Sequence, residues 1–82
     1  MKVQAEVSLY LLRQNDLTEP IQQFVESLKS GDLKIKTGSM SSVISGDSKV
    51  VFHSLQKAFE QAAQKYEVIL TTKLSNACPE HE

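Results

Sequence analysis

Between Lys2 and Leu12 the residues alternate with a period of two. Val3, Ala5, Val7, Leu9 and Leu11 share one side, and Lys2, Gln4, Glu6, Ser8 and Tyr10 share the other. An extended strand separates neighbours in this way, so the chain opens with a strand that has one apolar face, and later elements must cover that face. Arg13 to Asp16 then break the pattern with turn-prone polar residues.

The spacing changes to that of a helix after Thr18-Glu19-Pro20. Thr18 is a candidate N-cap, and Pro20 fits the first turn, where its missing N–H would have no partner in any case. Ile21, Phe24, Val25 and Leu28 recur at helical intervals, and Ser30-Gly31-Asp32 ends the run, with Gly31 suited to the left-handed position after a helix. Leu33, Ile35 and Thr37 alternate with Lys34 and Lys36 as a second strand, and Ser39-Met40-Ser41 leads into a third around Ser42-Val43-Ile44. So short a connection predicts a hairpin and an antiparallel pair. Gly46-Asp47-Ser48 closes the third strand and offers Asp47 or Ser48 as the next N-cap. Val51, Leu55, Ala58, Phe59 and Ala62 make one apolar helical stripe flanked by Val50 and Phe52, and Tyr66 to Ser75 reads as a last strand with Val68, Leu70, Thr72 and Leu74 on one face.

The order strand–helix–strand–strand–helix–strand, with right-handed crossovers, predicts an α+β fold of ferredoxin-like type: a four-stranded antiparallel sheet with two helices on one face. The domain is expected over residues 1–76, followed by a short tail at 77–82. The uncovered sheet face should carry Gln4, Glu6, Ser8, Tyr10, Ile69, Thr71 and Lys73. An 82-residue chain buries only a small core, so a second copy packed on that mixed face is a natural source of stability.

Composition excludes several function classes. Nine Lys and Arg against ten Asp and Glu leave no basic surplus to attract a phosphate backbone, so no nucleic-acid partner is expected. No apolar run approaches the ~18 residues of a membrane span, and Met1 to Ala5 do not read as the start of a secretory leader. The single cysteine, Cys78, fits a reducing cytoplasm. His53 and His81 have no companions at metal-ligand spacing, Cys78 has no motif supplying a base, and the three glycines form no phosphate loop. No metal, no cofactor and no enzymatic activity are expected.

What stands out instead is a concentration of hydroxyls. Ser39, Ser41, Ser42, Ser45 and Ser48 crowd the central hairpin, and Ser8 and Tyr10 lie on the strand expected beside it. Hydroxyls next to apolar walls such as Met40, Ile44 and Tyr10 suit a small heteroaromatic ligand. Serines that merely fill a hairpin and its turns account for the same pattern.

Four segments resemble one known family. Ala5-Glu6-Val7-Ser8-Leu9-Tyr10, Met40 to Asp47, Val51-Phe52 and Leu74 to Pro79 are similar, in order, to segments of the YkoF-like proteins that bind thiamine or its hydroxymethylpyrimidine moiety. The resemblance spans nearly the whole chain. It implies a ferredoxin-like fold and non-catalytic binding of thiamine or hydroxymethylpyrimidine in vitamin salvage or transport, with a homodimer, or a homotetramer, as the assembly. It points to Ser8, Tyr10 and Ser42 as first ligand candidates, with Met40, Ile44 and Asn76 next. A thiazolium cation needs a carboxylate or an aromatic face, and Glu6 and Tyr10, on one face of the first strand, could supply either. The chain departs from many members in having Leu11 in place of a proline, and Ser42 and Ser45 in place of a threonine and a glutamate. A ferredoxin-like regulatory or protein-interaction module without a vitamin ligand is the alternative.

Overall fold

A computed structural model describes residues 1–29, 32–38 and 41–77. The elements run β1 (Lys2–Leu11), α1 (Thr18–Leu28), β2 (Lys34–Thr37), β3 (Ser42–Asp47), α2 (Ser48–Lys65) and β4 (Val68–Ser75). The sheet has the order β2-β3-β1-β4, and all three pairings are antiparallel. This is the expected βαββαβ ferredoxin-like architecture, with β1 in the interior because both crossovers pass over a strand.

Alternation along β1 sorts its side chains as the sequence requires. Val3, Ala5 and Val7 are buried in one cluster with Phe24 and Leu28 of α1, Ile44 of β3, and Val51, Leu55 and Ala58 of α2. Both helices therefore cover the same sheet face. Residues opposed across antiparallel strands share a face, so the pairs Gln4–Ser75, Glu6–Lys73, Ser8–Thr71 and Tyr10–Ile69 place the predicted polar row on the other, open face.

Several local expectations are corrected. Thr18 is the first residue of α1 rather than its cap: Leu17 occupies the cap position without a side-chain bond, and the Asp16 carboxylate accepts from the Thr18 N–H at 3.0 Å. A carboxylate two residues upstream reaches this exposed donor and interacts well with the positive end of the helix. Phe59, named as a member of the apolar stripe, is 37% exposed, and Ser54, which the apolar pattern passed over, is buried at 2%. The buried arc of α2 runs through Val51, Ser54, Leu55 and Ala58 and leaves Phe59 on the flank. Gly31, at the expected helix stop, lies outside the described residues, and α1 ends at Leu28 with Lys29 as its C-cap, whose N–H reaches the Val25 and Glu26 carbonyls. Asp47 is the N-cap of α2, accepting from the Lys49 N–H at 3.1 Å. β3 also continues through Gly46, one of the residues expected to stop it.

Candidate functional site

β1 and β3 differ in length, and the difference makes a cleft. Their pairing begins at Lys2–Asp47 and ends at Val7–Ser42, while β1 runs on to Leu11. Beyond Ser42 the chain turns through the β2–β3 hairpin, closed by the Gly38 N–H donating to the Ser41 carbonyl at 2.8 Å. A cavity of about 190 Å³ remains between the last part of β1, this hairpin and α1. Val7, Leu9, Ile21, Phe24 and Val25 form its apolar walls, and Ser8, Thr37, Ser41 and Ser42 bring hydroxyls to its edge.

The sequence-predicted residues divide between this cleft and the open face. Ser8 and Ser42 both line the cleft, although Ser8 belongs to the open-face series and Ser42, 7% exposed, to the helix-covered one. They meet because β3 ends there. Tyr10 and Glu6 stand on the open face: Tyr10 opposes Ile69, and both are about half exposed. Glu6 is linked to the cleft through Ser41, whose Oγ donates to Glu6 Oε2 at 3.3 Å, while Lys73 Nζ lies 4.0 Å from Glu6 Oε1. The structure does not bring Ile44 or Asn76 to the cleft. Ile44 is fully buried opposite Ala5, and Asn76 follows Ser75, which pairs with Gln4 at the other end of the sheet. Met40 lies outside the described residues.

Sequence reasoning missed Thr37 and the α1 wall. Thr37 opposes Ser42 across the hairpin, and a hydroxyl at each strand end was the available signal. Ile21, Phe24 and Val25 read as ordinary core because a helical stripe does not reveal where the sheet beneath it stops.

A larger concavity, about 580 Å³, lies between α1 and α2 over Phe24, Ala58 and Ala62. Its polar groups bond to one another: Ser27 Oγ donates to Gln61 Oε1 at 2.6 Å, and Gln23 Nε2 to Glu19 Oε1 at 3.2 Å. The smaller cleft, where Ser8 and Ser42 of two strands reach one space with apolar walls, is the better candidate. Among the described residues there is no cluster of three or more His, Cys, Asp or Glu that could hold a metal ion, and no helix long and apolar enough to cross a membrane. His53 is exposed on α2, away from the cleft.

Residues 2–81 match the YKOF-related family. The chain belongs to that family. The solved structures it resembles are consistent with this membership. Hypothetical protein MJ1052 from Methanocaldococcus jannaschii is 25% identical, with a TM-score of 0.87 over 96% of this chain and 84% of that one. Protein SP2199 from Streptococcus pneumoniae is 21% identical, with a TM-score of 0.87 over 95% and 89% of the two chains. TM0486 from Thermotoga maritima, a candidate thiamine biosynthesis/salvage protein, is 14% identical, with a TM-score of 0.82 over 92% and 83%. No curated protein matches the sequence. These likenesses support the fold.

Proposed function

We propose that this member of the YKOF-related family is a non-catalytic binder of the hydroxymethylpyrimidine moiety of thiamine, acting in vitamin salvage or transport in the cytoplasm. The observation that carries the reading is the meeting of Ser8 and Ser42 at one small cleft with apolar walls from α1. An aminopyrimidine is a flat ring with a donor–acceptor edge. Hydroxyls from Ser8, Thr37 and Ser42 suit that edge, and Phe24, Ile21 and Leu9 suit its faces. The volume of about 190 Å³ falls below the ~300 Å³ at which sites for drug-sized ligands begin, which favours one ring inside over two linked rings. Intact thiamine would leave its thiazolium outside, toward Glu6 and Tyr10 on the open face, where a carboxylate and an aromatic ring both attract a cation.

The proposal includes a homodimer joined through the open face, with Tyr10, Ile69 and Val43 as its apolar centre, and leaves room for a homotetramer. The exposed Tyr10–Ile69 pair also favours a second reading, a protein-interaction module without a vitamin ligand.

Calorimetric titration with hydroxymethylpyrimidine and with thiamine tests the proposal. The expected result is micromolar binding, about −8 kcal/mol, tighter for the free pyrimidine and weakened about tenfold in Ser42→Val, which keeps the volume and removes the hydroxyl. No heat with either ligand up to about a millimolar would transfer support to the interaction module.

A further inference from the structure

We propose that the main-chain N–H and C=O of Leu9 form a donor–acceptor pair that selects the ligand of the cleft, and that the class selected is a planar ring with a nitrogen acceptor beside an amino group. The identity of the ligand rests on the pyrimidine reading; the direction of the Leu9 groups does not.

In an antiparallel ladder each residue turns its N–H and C=O to the same neighbouring strand, and the next residue turns both to the other side. Two bonds fix which residues of β1 face which way. The Leu12 N–H donates to the Glu67 carbonyl at 2.9 Å, just before β4, and the Ser48 N–H donates to the Met1 carbonyl at 2.7 Å, just after β3. Even-numbered residues of β1 therefore face β4, and odd-numbered ones face β3. Both registers advance one residue at a time, so no bulge shifts this parity. On the β3 side, Val3, Ala5 and Val7 meet Gly46, Ile44 and Ser42, where the pairing ends. Leu9 is the next odd residue. It opposes Leu70 of β4 but turns its polar groups the other way, and it lines the cleft. Among the described residues no strand stands opposite Leu9 on that side. Main-chain groups without a strand partner take water or a ligand instead.

This pair discriminates where the hydroxyls cannot. A serine or threonine hydroxyl rotates and acts as donor or acceptor, whichever the ligand requires. A main-chain N–H only donates and a C=O only accepts, and the strand holds the two side by side. The matching partner presents an acceptor next to a donor and lies in the plane of the sheet, in the place of one strand residue. An aminopyrimidine fits: its ring nitrogen accepts from the Leu9 N–H, and its amino group donates to the Leu9 carbonyl. One face of the ring then rests on Phe24 and Val25 of α1. A ring without the amino group leaves the carbonyl unpaired, and sites of this kind reject such analogues.

Hydrogen exchange read by NMR on isotope-labelled protein tests the pair first without any ligand. The Leu9 amide should exchange at least about tenfold faster than the amides of Ser8 and Tyr10 on either side, which face Thr71 and Ile69 of β4. Titrations with hydroxymethylpyrimidine and with plain aminopyrimidine should shift the Leu9 amide resonance and slow its exchange at least about tenfold. Unsubstituted pyrimidine should bind about tenfold more weakly than aminopyrimidine. A Leu9 amide as slow as its neighbours in the free protein would overturn the proposal. So would hydroxymethylpyrimidine that binds and leaves the Leu9 amide unchanged, a result that keeps the vitamin reading intact. Aminopyrimidine that protects Leu9 while hydroxymethylpyrimidine fails to bind would sustain the main-chain pair and remove the vitamin. No binding of either probe up to about ten millimolar would overturn both.

Discussion

The Ser41 hydroxyl donates to Glu6 Oε2 at 3.3 Å, tying the end of the β2–β3 hairpin to the open face of β1. Through this contact a carboxylate outside the cleft is connected to a residue on its wall. Glu6→Gln keeps an acceptor for Ser41 and removes the charge. Because Glu6 is exposed, thermal stability should change by less than about 0.5 kcal/mol. Thiamine, which is cationic, should lose more affinity than neutral hydroxymethylpyrimidine; equal losses in parallel titrations would separate Glu6 from the thiazolium.

Gly46 has no room for a side chain. A Cβ there would come within 2.8 Å of Leu33 Cδ2 and 3.3 Å of the Asp32 carbonyl oxygen. Leu33 can move, but the backbone oxygen yields little. Gly46→Ala should therefore destabilise the domain by roughly 1–2 kcal/mol, the lower part of the range for overpacking. Chemical denaturation should show a lower midpoint with an unchanged slope.

Leu28 is fully buried where α1 meets the core. Leu28→Ala should cost roughly 2–5 kcal/mol, the lost transfer energy plus a cavity. That is a large share of the ~5–15 kcal/mol that holds a domain together. A midpoint shift of less than about 1 kcal/mol would mean that the two helices close over the gap.

Asp47 accepts from the Met1 ammonium at 3.2 Å and from the Lys49 N–H at 3.1 Å. The ammonium bond, then the Lys49 N–H, then the ammonium charge hold its carboxyl below the ordinary 3.8. A carboxyl depressed in the folded state contributes stability that is present above its unfolded value and lost as pH falls through its folded value. The loss should thus begin near pH 4 and continue below it. Asp47→Asn retains an N-cap and removes the titration. Its melting temperature should approach that of the parent protein as pH falls from about 4 to about 2; a constant gap across that window would place the acid sensitivity elsewhere.

The sheet was legible in the sequence because period-two alternation is unambiguous over ten residues: the open-face row Gln4, Glu6, Ser8, Tyr10, Ile69, Thr71 and Lys73 follows from side-chain parity alone and appears in the register. Helix ends and flanks were less legible. Asp16 rather than Thr18 supplies the bond at the start of α1, a choice of loop geometry that composition does not encode. Phe59 fits the apolar stripe of α2, yet which edge of a stripe faces solvent depends on how that helix lies against α1. For the cleft, Ser8 and Ser42 could be named from their hydroxyls, but parity assigned them to opposite faces. Only the point where β3 ends, set by the hairpin, brings them to one place.

The cleft arises from a missing piece of strand, not from a hole in the packed core. Val3, Ala5, Val7, Ile44 and Val51, which carry the core, stay closely packed whatever happens past Ser42. The strand end that sets the cleft and most of the core thus lie in different parts of the sequence, with Val7 and Phe24 shared between them. Two more residues of β3 would extend the ladder along β1, fill the space with backbone and complete the sheet. Insertion or deletion in one hairpin would close or widen the cleft while the fold persists, so hairpin length is the feature to compare among proteins of this shape.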